Sequence, residues 1–218
     1  MAERVRGPLR RRRGRFASVP GSLAVVATLA AMVSGCASGQ AVSDSAQQVF
    51  FQVPSGWRIY NQVQMGNNIP GLAQSKLYFF RAASANPRPS PSDVFTPSPY
   101  PWLLVEVRSL APSEQSQMTL EGLSNVLLPN DTLASYGQGG ALIGVPRPLF
   151  KGSLRGSEVS FQYPFSPGDP LDYRQVTWVD NRTDKVWAFM IGCSVTCYEN
   201  DESQIGRIAS NFYVEDKG

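Results

Sequence analysis

The chain has 218 residues, enough for one domain with appendages, and a formal net charge of +3 from 20 Lys and Arg against 17 Asp and Glu. Residues 1–35 hold seven of the arginines and one acid, Glu3; without them 13 basic and 16 acidic residues remain, so the body of the chain has no basic excess for nucleic acid. The sequence has no histidine, which excludes Ser–His–Asp and Cys–His catalysis and histidine metal ligands, while 42% hydrophobic and 11% aromatic residues suffice for a core.

The first segment reads as an export address. Arginines from Arg4 to Arg15 form a charged region, and an apolar run of eleven residues follows at 23–33 (LAVVATLAAMV). A spanning helix needs about 20 apolar residues and a signal peptide about 7–15, so the run fits a signal peptide over 1–35. Val33-Ser34-Gly35-Cys36 resembles the lipobox of bacterial lipoproteins. That resemblance implies a thioether-linked diacylglycerol on Cys36, cleavage before it, and a place on the extracytoplasmic face of the cell membrane. An ordinary secretory signal with a chance cysteine and an uncleaved anchor helix are the alternatives. Arg12-Arg13 invites comparison with twin-arginine signals, but the spacing to Phe16 is wrong, so general secretion is favoured.

Residues 36–48 are small and polar and read as a flexible tether, with a single globular domain over 49–215. Residues 49–53 read as a strand, Pro54-Ser55-Gly56 as a turn, and the alternating 57–63 as a second strand closing an opening hairpin. Residues 77–82 are a third strand. Six prolines then crowd residues 87–101, so 83–101 reads as a proline-rich loop, the most mobile part of the domain. Phe95 and Tyr100 within it, with Trp102 beside it, form the candidate partner-binding surface, because aromatics give large contact area at low entropic cost. The alternative is that Trp102 is core and the loop idle.

Residues 102–110 read as a strand, and 119–128 as a helix capped by Thr119 with Leu120, Leu123 and Leu127 on one face. Residues 130–148 read as loop. Their Gly137-Gln138-Gly139-Gly140 is no phosphate cradle: position 142 is leucine and no Lys-Ser/Thr follows, so no cofactor is expected. Strands are expected at 149–154, 157–165, 173–179 and 185–191, the last two forming a hairpin with Trp178 facing Trp187. Both sides of that hairpin are apolar, which predicts central strands covered on both faces. The amphipathic segment 201–212, capped by Asn200, supplies one cover. Cys193 and Cys197 are the even remainder once Cys36 is set aside, and outside the cytoplasm they are expected to form a disulfide across a sharp turn. Zinc is disfavoured for want of ligands.

The opening Val53-Pro54-Ser55-Gly56-Trp57, the mid-chain helix, the two-sided hairpin and the closing Ile208-Ala209-Ser210-Asn211-Phe212-Tyr213-Val214 resemble, in order, the PsbP-like fold family, which includes LpqN-type bacterial lipoproteins. The resemblance implies an α+β fold, a central antiparallel β-sheet sandwiched between α-helices. It also implies a non-enzymatic binding or assembly module with no catalytic residues, whose partner is an unidentified envelope protein or small ligand. The alternative is a carboxylate-dependent envelope hydrolase, for which Glu106 and Glu158 are the only acids inside expected strands.

Overall fold

The computed structural model describes residues 39–66, 72, 76–127, 141–164 and 170–217. The signal segment 1–35, Cys36, the glycine cluster 137–140 and the turn cluster 166–169 lie outside the described residues. The described chain forms two antiparallel sheets. Strands β1 (Gln40–Asp44), β2 (Val49–Val53) and β10 (Tyr213–Val214) make a small sheet in the order β1-β2-β10. Strands β3 (Arg58–Tyr60), β4 (Leu77–Ser84), β5 (Trp102–Ser109), β6 (Ala141–Lys151), β7 (Leu154–Tyr163), β8 (Leu171–Val179) and β9 (Lys185–Ser194) make a large one, ordered β3-β4-β5-β9-β8-β7-β6. The described helices are α1 (Gln62–Met65), α2 (Pro112–Gln115), α3 (Leu120–Ser124) and α4 (Val195–Ser210).

The β8–β9 hairpin lies at the centre of the large sheet and has the expected register, Trp178 opposite Trp187 and Val179 opposite Val186. Its turn is held by the Asp180 carboxylate, which accepts from the Asp184 and Lys185 amides at 2.9 and 3.1 Å. Side chains alternate between faces along each strand. One face presents Val105, Val176, Phe189 and Ile191 to Ile205 and Ile208 of α4, to Phe212 just beyond it, and to Val49, Phe51 and Val53 of the small sheet. The other presents Leu104, Phe161, Tyr173 and Met190 to Met65 of α1, Leu72 and Val94. Leu123 of α3 joins Val179 and Val186 on that second side. Each such large apolar side chain, once buried, contributes roughly 1.5–3 kcal/mol. The architecture is α+β, a central antiparallel sheet with helices over both faces.

Several elements depart from the sequence reading. The expected tether 36–48 contains strand β1, paired along its whole length with β2 from Gln40 opposite Val53 to Asp44 opposite Val49. Its polar residues suit an edge strand, whose outward positions face water. The expected opening hairpin does not form, since β2 pairs with β1 and β10, and β3 pairs with β4 in the other sheet. Gly56, at φ +88°, lets the chain turn out of the small sheet, and buried Trp57 follows. The strand then ends at Tyr60 because Asn61 caps α1, accepting from the Gln64 amide at 3.0 Å.

Residues 141–148, read as loop, belong to β6. Pro146 and Pro148 are tolerated there because β6 is an edge strand, and its register shifts between Ile143 and Arg147. The mid-chain helix keeps its Thr119 cap, whose hydroxyl accepts from the Gly122 amide at 3.1 Å, but α3 runs only to Ser124. The closing helix starts six residues earlier than the acids suggest. Ser194 caps α4 by accepting from the Cys197 amide at 3.3 Å, so Asp201 and Glu202 lie beyond its first turn.

The proline-rich segment is stitched down rather than loose. After β4 ends at Ser84, a single 3₁₀ turn at Pro91–Asp93 is held by the Asp93 carboxylate, which accepts from Ser84 Oγ and the Ser90 amide, both at 2.9 Å. The Ala85 amide donates to Pro101 and the Ser194 amide to the Ser98 carbonyl, at 2.9 and 2.8 Å. Val94 and Ser98 are buried, which fixes the segment against the sheet.

Candidate functional site

Helix α4 lies across strands β8 and β9 and, among the described residues, leaves part of the outer strands uncovered. Between its C-terminal half and strands β6, β7 and β8 opens a groove of about 390 Å³. Its walls include Leu149, Val176, half-buried Trp178, Ala209 from the helix end and Phe212 just beyond it. Gly156 opposes Trp178 across the β7–β8 ladder, and a Cβ there would come within 2.8 Å of the indole ring. The missing side chain lets the ring lie across the strand as a flat apolar wall.

The polar wall is a chain of charges. The Glu158 carboxylate on β7 stands between Arg147 of β6, with which it forms a close ion pair, and Arg174 of β8, whose Nε lies 3.6 Å from Glu158 Oε1. Arg174 Nε is buried and has no hydrogen-bond partner among the described residues. Two guanidiniums therefore share one carboxylate, an excess positive charge beside an apolar wall. Farther along the same face burial pushes the hydroxyl of Tyr198, on α4, up against the opposing pull of Arg174, and Ser160 hydrogen-bonds it. Burial likewise raises the Asp172 carboxyl, helped by nearby Glu199 and opposed by a bond from Gln162. The arrangement can hold an anionic group against the guanidiniums while an apolar portion lies on Trp178 and Leu149.

The surface expected from sequence at Phe95, Tyr100 and Trp102 is not assembled. Trp102 is fully buried and donates from its indole nitrogen to the Thr96 carbonyl at 3.0 Å, so it is core and not a contact residue. The Phe95 ring turns inward to stand 5.3 Å from that indole, at a backbone φ of +64°. Only Tyr100 of the three is exposed. Cys193 and Cys197 stand at bonding distance, their sulfurs 2.10 Å and their Cα atoms 5.9 Å apart, joining the end of β9 to the first turn of α4. Cys36 lies outside the described residues.

Glu106 and Glu158 cannot act as a carboxylate pair. Glu158 is level with Val176, Phe189 and Val105 across four adjacent strands, so all four share a face. Glu106 follows Val105 and points to the opposite face, where burial raises its carboxyl against the pull of Arg108, 3.4 Å away. Among the described residues no group of acids or cysteines could hold a metal ion. The groove residues Arg147 and Arg174 were missed in the sequence reading. The one available signal was a cation at 174, two positions before Val176 and four before Trp178, on an otherwise apolar face.

No protein-family model matches the sequence, and comparison with curated proteins found no match. Among solved structures, the cyanobacterial PsbP of Synechocystis sp. PCC 6803 superposes with a TM-score of 0.53 at 17% identity, covering 89% of this chain and 98% of that one. The Mycobacterium tuberculosis LpqN, described as involved in cell envelope biogenesis, gives a TM-score of 0.45 at 13% identity over 80% of this chain and 86% of its own. The Saccharomyces cerevisiae Ran-binding protein Mog1p gives 0.47 at 10% identity over 82% and 96%. The last two scores are too low to carry an argument; the first, with the sheet order and the helices on both faces, shows that this chain has the PsbP-like fold.

Proposed function

We propose that the chain is a non-enzymatic binding module, held on the extracytoplasmic face of the cell membrane by a lipid on Cys36, and that its ligand seat is the groove beside α4. The ligand class is an anion, a carboxylate or phosphate ester, with an apolar portion. The lipobox-like Val33-Ser34-Gly35-Cys36 supports the location, and the fold supports a binding role. The observation that carries the ligand class is the pairing of Arg147 and Arg174 with a single Glu158 beside the Trp178 ring. The opposite orientation of Glu106 and Glu158 removes the one carboxylate pair on which a hydrolase reading rested.

Titration with decyl phosphate, and with uncharged decanol as control, tests the groove. Decyl phosphate should bind more tightly than decanol. Arg174→Gln should weaken it about tenfold, the loss expected when a charge-assisted bond is removed. Equal affinity for the two compounds, or an unaffected Arg174→Gln variant, sinks the assignment. Intact-mass analysis of the mature protein tests the anchor, since an unmodified Cys36 contradicts it.

A further inference from the structure

On the other flank of α4 lies a second hollow, of about 320 Å³, lined by Gly39, Gln52, Pro54, Gln204, Arg207 and Asn211 over a floor of Ile208. We propose that this flank, the outer face of the β1–β2 hairpin together with the Arg207 side of α4, lies against the membrane and seats on the phosphates of the bilayer surface. The inference rests on the lipid at Cys36 and adds an orientation to it.

The argument is one of reach. Strand β1 begins at Gln40, and Gly39 is already packed, its position 3.2 Å from the Val53 carbonyl for any added Cβ. Three peptide units separate Cys36 from Gly39, and a fully extended chain spans at most about 3.6 Å per residue, so the hairpin edge stays within about 11 Å of the lipidated cysteine. The headgroup layer is itself about 6 Å deep on each side of the bilayer. A domain tied so closely cannot tumble freely, and the surface around Gly39 is the one held at headgroup level. Its chemistry suits that position. Gln52 points outward between buried Phe51 and Val53, and among the described residues the only charged one lining the hollow is a cation, exposed Arg207. Among the described residues the lining contains no acid to repel an anionic leaflet.

The test uses the full lipidated protein in vesicles of phosphatidylcholine and phosphatidylglycerol that carry a headgroup nitroxide lipid. A small thiol-reactive fluorophore is placed at Gln52→Cys or, as control, at Glu121→Cys. Glu121 is exposed on α3, which covers the opposite face of the large sheet, about 20 Å away at about 10 Å per layer. With Cys36 lipidated and Cys193 bonded to Cys197, the introduced thiol is the only free one. The expected result is strong quenching at position 52 and none at 121, with Arg207→Glu reducing the phosphatidylglycerol-dependent part about fivefold. Equal quenching at the two positions, with lipid on Cys36 shown by intact mass, overturns the orientation alone. An unmodified Cys36 overturns the anchor and the orientation together.

Discussion

The aromatic side chains around the proline-rich segment have different fates although they lie close together in sequence. Trp102 has no exposed surface and its indole N–H is satisfied, whereas Tyr100 keeps 39% of its surface in water. Trp102→Ala should therefore destabilise the domain by about 3–5 kcal/mol, and Tyr100→Ala by less than about 0.5 kcal/mol, in urea unfolding. Asp172 gives a pH-dependent case. It is buried, its Oδ1 has no hydrogen-bond partner among the described residues, and burial raises its carboxyl above the usual range. The folded state thus holds this proton to higher pH than the unfolded chain, whose value is about 3.9. The group costs nothing below that value, and stability falls as pH rises through the raised folded value. Asp172→Asn should raise stability at pH 7 by on the order of 1 kcal/mol, with the gain vanishing below about pH 4. Unfolding midpoints of both proteins across that range check the sign.

At the scale of elements, the bridge between Cys193 and Cys197 fastens the first turn of α4 to the end of β9. Closing so short a loop stabilises the fold by about 2 kcal/mol in the chain-entropy account. Replacing both cysteines with alanine should cost about that much in urea unfolding. It should also speed hydrogen exchange at the Cys197 amide, which Ser194 caps, before exchange rises elsewhere in the helix. Elements whose partners are near in sequence were legible. The β8–β9 hairpin announced its register through paired Trp178 and Trp187, and the α4 core face through Ile205 and Ile208, although the helix ends at Ser210 and not at the expected Phe212. Elements whose partners are remote were not. Strand β1 reads as a polar tether because its ladder partner is β2 and only Val42 of its five residues packs on the core, too little to show a face in the sequence. The start of α4 was hidden because a cysteine and a serine hold it, while acids farther along imitated a first turn. The groove was hidden for a related reason: Arg147, Glu158 and Arg174 are far apart in sequence and meet only through two strand registers.

The whole molecule is closed by its last described residues. Strand β10 pairs Tyr213 with Phe50 and Val214 with Val49, and Val214 is buried. Lys151 donates to the Val214 carbonyl at 2.6 Å and lies over the Tyr213 ring, while Ser153 Oγ donates to Asp216 at 2.7 Å. The Glu215 amide donates to the Gln48 carbonyl at 2.9 Å, tying the same segment to the β1–β2 turn. Removing residues 213–218 should cost about 3 kcal/mol, from one buried valine and several hydrogen bonds, and Asp216→Ala about 1 kcal/mol. Urea midpoints of the two variants check the ranking.

The pairing of β2 with β10 also sets an order of events during synthesis. Strand β2 is among the first structured segments to emerge, yet one of its edges is completed only by residues 213 and 214. A growing chain can form the β8–β9 hairpin from neighbours made moments apart, but the small sheet must wait for the far end of the polypeptide. Until then β2 keeps an open ladder edge, and the apolar side chains of Phe51 and Val53 lack their finished cover. Closure of that edge therefore waits for the last strand, and a chain ending shortly before residue 213 should be more sensitive to protease than the completed one.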